Sequence, residues 1–100
     1  MPPELDPAKT DSKYHTVDFE NVRVRVLRTV LEPHIKSPMH VHPNYVVVYL
    51  TDLHTAQTLA DGTVRDNRRK AGEAGWRDAV KHSTENLEDQ HAEEIQIELK

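Results

Sequence analysis

Three histidines have the spacing of a metal site. His40 and His42 stand at i and i+2, and His82 lies 40 positions after His42. Their surroundings are typical of β-strands, in which residues at i and i+2 point to the same face. Neutral imidazole is a common metal ligand, so a histidine from a second strand would complete a site with three nitrogen ligands for a divalent ion. The alternative interpretation of the pair alone is two surface histidines.

The composition restricts the classes of function. The chain has 100 residues, no cysteine and 36% hydrophobic residues, with a formal net charge of −4. One domain with a thin core is expected, and a thin core favours a homodimer. The lack of cysteine excludes disulfide scaffolds, thiol nucleophiles and zinc fingers, and it is consistent with the cytoplasm, the predicted location. The negative charge argues against nucleic acid as a partner.

Neither a signal peptide nor a membrane span is expected. No apolar region follows a basic N-terminus, and no apolar run is long enough to cross a bilayer. The first residues contain three prolines and few large aliphatics. We therefore predict a flexible arm over residues 1–13 and a single domain over residues 14–100.

The hydrophobic pattern predicts an all-β domain. Asp61-Gly62 is a hairpin turn signal, and no long amphipathic helix is evident. Many short strands with turns between them indicate a sandwich or a barrel. The segments with alternation or β-branched content typical of strands are 21–31, 39–51, 53–60, 63–70 and 92–99.

The order of these residues resembles the two motifs of the cupin family. His40 and His42 match the His-x-His pair of the first motif, while His82 and Asn86 match the His-x-x-x-Asn end of the second. Gly72 lies one residue from the position of the second motif's first glycine. The resemblance covers roughly residues 20–100 and implies a double-stranded β-helix, or jelly-roll, barrel.

The departures from the motifs determine what the resemblance implies for the metal. His34 stands in place of the opening glycine, and Arg77 and Ala79 replace a proline and a glycine. The glutamate of the first motif falls at position 46 or 47, where both residues are valine. The implied metal ligands are therefore His40, His42 and His82. This resembles the three-histidine cupins, among them cysteine, gentisate and diketone-cleaving dioxygenases, which use iron(II).

Strand parity suggests which side chains surround the metal. Val46 has the parity of His40 and His42, so we expect it to point inward beside the ion, followed by Val48. Tyr45 and Tyr49 would then face away, and the cavity would be apolar. A bulge near Pro43 would shift the register and turn Val47 inward instead.

The remaining candidates have two interpretations each. Asn86 is either an amide that positions the His82 segment or a turn residue. Trp76 either walls the cavity or packs in the core. Arg77 either holds a substrate carboxylate or is a solvated surface residue. The histidines expected at the surface are His15, His54 and His91.

These observations favour a metal-binding cupin for a small ligand. Three neutral imidazoles leave the full charge on the ion, which favours a small anionic or chelating substrate. With no general base evident beside the metal, the favoured function is an iron(II)-type dioxygenase. Zinc, nickel, manganese and copper remain alternatives for the ion. The alternative functions are a non-catalytic ligand-binding cupin and a metal-dependent lyase or decarboxylase.

Overall fold

The structure is a computed structural model that describes residues 5–10 and 12–100. It contains one short helix and nine strands, and every strand pairing is antiparallel. The all-β prediction is confirmed. The elements are α1 (Pro7–Thr10), β1 (His15–Glu20), β2 (Val24–Leu31), β3 (His40–His42), β4 (Tyr45–Tyr49), β5 (Leu53–Leu59), β6 (Val64–Arg69), β7 (Ala74–Arg77), β8 (Val80–Asn86) and β9 (Ala92–Leu99).

The strands form two sheets. The larger sheet has the order β1-β2-β9-β4-β7 and the smaller one β3-β8-β5-β6. Neighbours such as β2 and β9 are far apart in sequence, so pairing between distant strands holds the sheets together. No helix in the described part of the chain is long and apolar enough to cross a membrane.

The predicted hairpin at Asp61-Gly62 connects β5 to β6. Gly62 has a φ of 88°, in the left-handed region that glycine adopts without steric cost. The side chain of Asp61 accepts a hydrogen bond from the backbone N–H of Thr63 at 2.9 Å. Local turn chemistry therefore determines this connection.

The prediction of one strand over residues 39–51 is wrong. β3 belongs to the smaller sheet and β4 to the larger one, and Pro43 and Asn44 lie between them. Pro43 has no N–H to donate to a ladder, while the side chain of Asn44 accepts a hydrogen bond from Ala79 N at 2.8 Å. The chain turns a corner here, and the parity of β3 does not carry over into β4.

The interior of the barrel is part apolar and part polar. A core cluster consists of Tyr45, Val47, Tyr49, Leu53 and Ala92. In β9 the polar residues Gln96 and Glu98 are buried, whereas the aliphatic residues Ile95 and Ile97 are only half-buried. The sequence shows this alternation, and the structure turns its polar face inward.

The first residues contact the barrel where the structure describes them. Pro7 is buried, and α1 lies against β1 and β3. Both carboxylate oxygens of Asp6 accept hydrogen bonds from Arg25, at 2.8 and 2.9 Å. Of the segment predicted as a flexible arm, residues 1–4 and 11 lie outside the described residues. The boundary at residue 13 stays a prediction.

Candidate metal centre

The three histidines found in the sequence meet in the interior. His40 and His42 point inward from β3, and His82 lies directly opposite His40 in the β3–β8 pair. Their ring centroids are 4.9 Å apart for His40 and His42, 4.8 Å for His40 and His82, and 5.3 Å for His42 and His82. None is more than 2% exposed. The i, i+2 spacing therefore placed two imidazoles on one buried face, and strand pairing added the third.

A fourth histidine joins them, against prediction. His15, expected at the surface, is only 3% exposed, and its ring centroid lies 4.8 Å from that of His40 and 5.7 Å from that of His42. One nitrogen each of His15, His40 and His42 lies within 4.8 Å of the others. The sequence pattern does not predict β1, and it is the first residue of this strand that turns the His15 side chain inward. We call His15, His40, His42 and His82 the histidine cluster.

A carboxyl group stands behind one ring of the cluster. Nδ1 of His42 lies 2.6 Å from Oε2 of Glu98, and Oε1 of Glu98 accepts a hydrogen bond from Nε of Arg25 at 2.9 Å. Arg25 in turn binds Asp6. Nε2 of His42 is buried and has no hydrogen-bond partner among the described residues. A histidine held by a carboxyl group on one nitrogen and free on the other is the usual arrangement of a metal ligand.

Burial keeps the imidazoles of His42 and His82 neutral. It lowers the pKa of His42 well below its usual value, with His40 and His15 adding to the effect. Burial is also the main reason that the pKa of His82 falls to about 2, followed by its neighbours His42 and His40. Neutral imidazole is the form that binds metal ions. A buried group of such rings therefore fits a divalent cation.

The cluster opens onto a small internal cavity. The cavity has a volume of about 20 Å³, which is enough for about one water molecule. Its lining is largely polar and includes His15, Thr29, Ser37, His40, Gln57, His82, Thr84, Glu94 and Gln96. The expectation of an apolar cavity is wrong, because the polar face of β9 points into the barrel.

Glu94 is a candidate acid–base group that the sequence did not reveal. Its side chain lines the internal cavity and accepts a hydrogen bond from Nε2 of Gln96 at 3.0 Å. Burial raises the pKa of Glu94 above its usual value, although Gln96 and His15 oppose this effect. The carboxyl group can hold or release a proton within the cavity. The expectation that no general base is present is therefore wrong.

The predicted cavity residues on β4 face the other way. Tyr45, Val47 and Tyr49 are buried, while Val46 and Val48 are half-buried on the opposite face. The ring centroid of Tyr45 lies 4.8 Å from that of His42. The corner at Pro43 causes this shift, so the predictions for Val46 and Val48 are wrong. The register alternative, with Val47 inward, agrees with the structure.

The contacts of Asn86 agree with an amide that positions the His82 segment. It is fully buried, and its Nδ2 donates to the carbonyl oxygens of Leu31, Glu32 and Gln90, at 3.0, 3.2 and 2.8 Å. Its Oδ1 accepts a hydrogen bond from Glu88 N at 3.0 Å. These bonds hold the end of β8, the strand that carries His82.

A second, larger cavity lies next to the internal one. It has a volume of about 640 Å³, and we call it the mouth cavity. Tyr45 and Gln57 line both cavities and so separate them. Trp76, which is 53% exposed, lines the mouth cavity rather than the core or the internal cavity. Arg77, which lies beside it and lines the same cavity, is half-buried, which disfavours the interpretation as a solvated surface residue.

Comparisons with known proteins identify the fold. No protein-family model matches the sequence, and no curated protein matches it either. A cupin domain from Bordetella pertussis Tohama I is similar in structure, with a TM-score of 0.79, 27% identity and coverage of 86% of this chain and 91% of that one.

Two other similar structures carry the names of enzymes, a polyketide cyclase and an oxalate decarboxylase. The polyketide cyclase RemF from Streptomyces resistomycificus has a TM-score of 0.64, 16% identity and coverage of 85% of this chain and 63% of that one. A variant of the oxalate decarboxylase OxdC from Bacillus subtilis has a TM-score of 0.60, 22% identity and coverage of 76% and 21%. At these identities the likeness concerns the fold alone.

Proposed function

Since this chain is a cupin, we propose that its histidine cluster binds one divalent metal ion and presents it to a small anionic or chelating substrate. The observation that carries the proposal is the set of buried imidazoles, with Nε2 of His42 unpaired among the described residues. Burying this ring nitrogen without a partner is costly, and a cation would relieve that cost. The proposed ligands are His40, His42 and His82, with His15 as a fourth candidate.

The protein residues around the cluster have separate roles in this proposal. Glu98 fixes the orientation of His42 and makes its ring a stronger donor. Glu94 holds a proton at the cavity wall. When bound, a divalent ion would orient a chelating substrate and act as a Lewis acid, and iron(II) would in addition support oxidation by oxygen.

The most concrete form of the proposal is an iron(II)-type dioxygenase. Its support is the donor set: neutral imidazoles leave the positive charge of the ion available to an anionic substrate. The carboxyl group of Glu94 is compatible with a dioxygenase. It does mean, however, that the lack of a general base no longer favours a dioxygenase over reactions that need proton transfer.

A second candidate is a metal-dependent lyase or decarboxylase. Glu94 favours it, because such reactions move a proton, and burial raises the pKa of this carboxyl group, which makes it a better proton acceptor than an exposed glutamate. The fold is shared with a protein named as an oxalate decarboxylase and with one named as a polyketide cyclase. A binding module without turnover is the third alternative.

Metal analysis of protein that has never contacted a nickel column tests the proposal. We expect about one equivalent of a divalent metal per chain, lost in His82→Ala and retained in His91→Ala, a control at an exposed histidine. Oxygen consumption by the iron-loaded protein with candidate chelating acids favours the dioxygenase, and turnover without oxygen favours the lyase. Absence of metal binding by the folded wild-type protein, or full binding by folded His82→Ala, would contradict the proposal.

A further inference from the structure

We propose that the mouth cavity is an anion-binding subsite in which Arg77 holds the carboxylate of a planar organic acid, while the rest of the molecule lies against Tyr45 and Gln57, the residues shared with the cavity of the histidine cluster. This inference rests on the proposed function, because it assigns the substrate class of that site. It adds a specificity-determining residue and a recognition chemistry to the metal centre.

The charge balance of the mouth cavity favours an anion. Three cationic side chains line it, those of Arg65, Arg77 and Lys81, against the two carboxylates of Asp61 and Asp78. None of the three cations is within ion-pair distance of a carboxylate of the described residues.

Both carboxylates in the cavity already accept hydrogen bonds from their own chain. Asp61 accepts from Thr63 N at 2.9 Å, and Asp78 accepts from Nε1 of Trp76 at 2.9 Å. The cavity therefore has a surplus of cations whose electrostatic interactions a bound carboxylate would complete.

Arg77 lines the mouth cavity next to Tyr45, a residue that also lines the internal cavity. It lies opposite Tyr45 in the β4–β7 pair, and its Nη2 donates to Oδ1 of the buried Asn67 at 3.2 Å. Burial alone would lower the pKa of Arg77, but Tyr49, Tyr45 and Glu94 raise it above its usual value. Since a guanidinium carries five N–H donors, the contacts with Asn67 and Tyr49 position the group and leave donors for a ligand.

The neighbouring indole suggests the shape of the ligand. Trp76 is the only tryptophan of the chain, and it is half-exposed on the cavity wall beside Arg77. An exposed aromatic face offers stacking to a flat molecule. A volume of about 640 Å³ is within the range of cavities that hold small organic ligands.

Fluorescence of Trp76 provides a direct test. Zinc(II)-loaded protein, with zinc content measured separately, is titrated with benzoate and with the neutral analogue benzyl alcohol. We expect saturable binding of benzoate and much weaker binding of the alcohol. Arg77→Gln should weaken benzoate binding by about tenfold or more, the effect of losing a hydrogen bond from a charged donor.

Two further variants make the result decisive. Arg65→Gln removes an exposed charge from the same cavity and should weaken benzoate binding with little risk to folding. Arg23→Gln removes an exposed charge from the segment before β2, outside the mouth cavity. This control variant should bind benzoate as the wild-type protein does. Thermal unfolding monitored by circular dichroism verifies that each variant is folded.

The possible results separate the subsite from the metal centre. Wild-type benzoate affinity in folded Arg77→Gln and Arg65→Gln, or equal binding of benzoate and benzyl alcohol, would overturn the subsite, whether or not zinc binds. If zinc does not bind but benzoate binds to the metal-free protein in a way that depends on Arg77, the subsite stands and the proposed function fails.

Discussion

Replacing Glu98 by glutamine tests whether the carboxyl group behind His42 strengthens the metal centre. Glutamine has nearly the same shape, and its amide oxygen can still accept a hydrogen bond from Nδ1 of His42. The change removes the carboxylate that lies 2.6 Å from this ring nitrogen. The geometry of the ring would be retained, while the electrostatic support for a bound cation would be lost.

The expected effect on metal affinity is substantial. Loss of a carboxyl partner behind a metal-binding histidine typically lowers affinity by about 10–100-fold, or roughly 1.4–2.7 kcal/mol. The cost to folding should be smaller than for an isolated buried charge, because Arg25 keeps both hydrogen bonds to Asp6. We expect a loss of about 1.5–3 kcal/mol in the free energy of unfolding, the usual range for a hydrogen bond to a charged group.

Affinity is measured by competition with a chromophoric chelator, using zinc(II) or cobalt(II) on the metal-free protein. The matched control is Glu93→Gln, on the same strand, where the carboxylate binds the partly exposed Arg28 outside the cluster. The control should retain wild-type metal affinity. If folded Glu98→Gln also retains it, Glu98 does not act on the metal, and its contact with His42 is purely structural.

The remaining predictions concern His15, the face of β4 and the association of subunits. His15→Ala should lower metal affinity, whereas His91→Ala should not, in the same chelator competition; equal affinities would show that His15 is not a ligand. Val46→Glu should leave metal affinity unchanged, because this side chain lies on the face of β4 opposite Tyr45 and Val47; tighter binding would contradict that placement. The homodimer expected from the thin core would be supported if Phe19→Lys, at a 54% exposed position on the edge strand β1, converts a dimer to a monomer by light scattering; a monomeric wild-type protein at tens of micromolar would refute it.

The sequence determined the features that depend on local geometry. The two-residue period of a strand brought His40 and His42 to one face, and Asp61-Gly62 specified a hairpin. The hydrophobic pattern was sufficient for an all-β domain and for most strand positions, because alternation and turn residues act over a few residues only.

Only the tertiary structure decided which faces point inward. The corner at Pro43 moved the chain from one sheet to the other, so the parity of His42 could not be extended to Val46. In β9 the sequence shows a polar and an aliphatic face, and burial of Glu98 could not be inferred without its partners Arg25 and His42.

The full set of residues around the cavity likewise arises from strand order. His15 pairs with Thr29 across β1 and β2, and Thr29 pairs with Glu94 across β2 and β9. These pairings place two ionisable side chains from opposite ends of the sequence in the lining of one cavity. Strand periodicity describes each strand alone; the pairing between distant strands assembles the site.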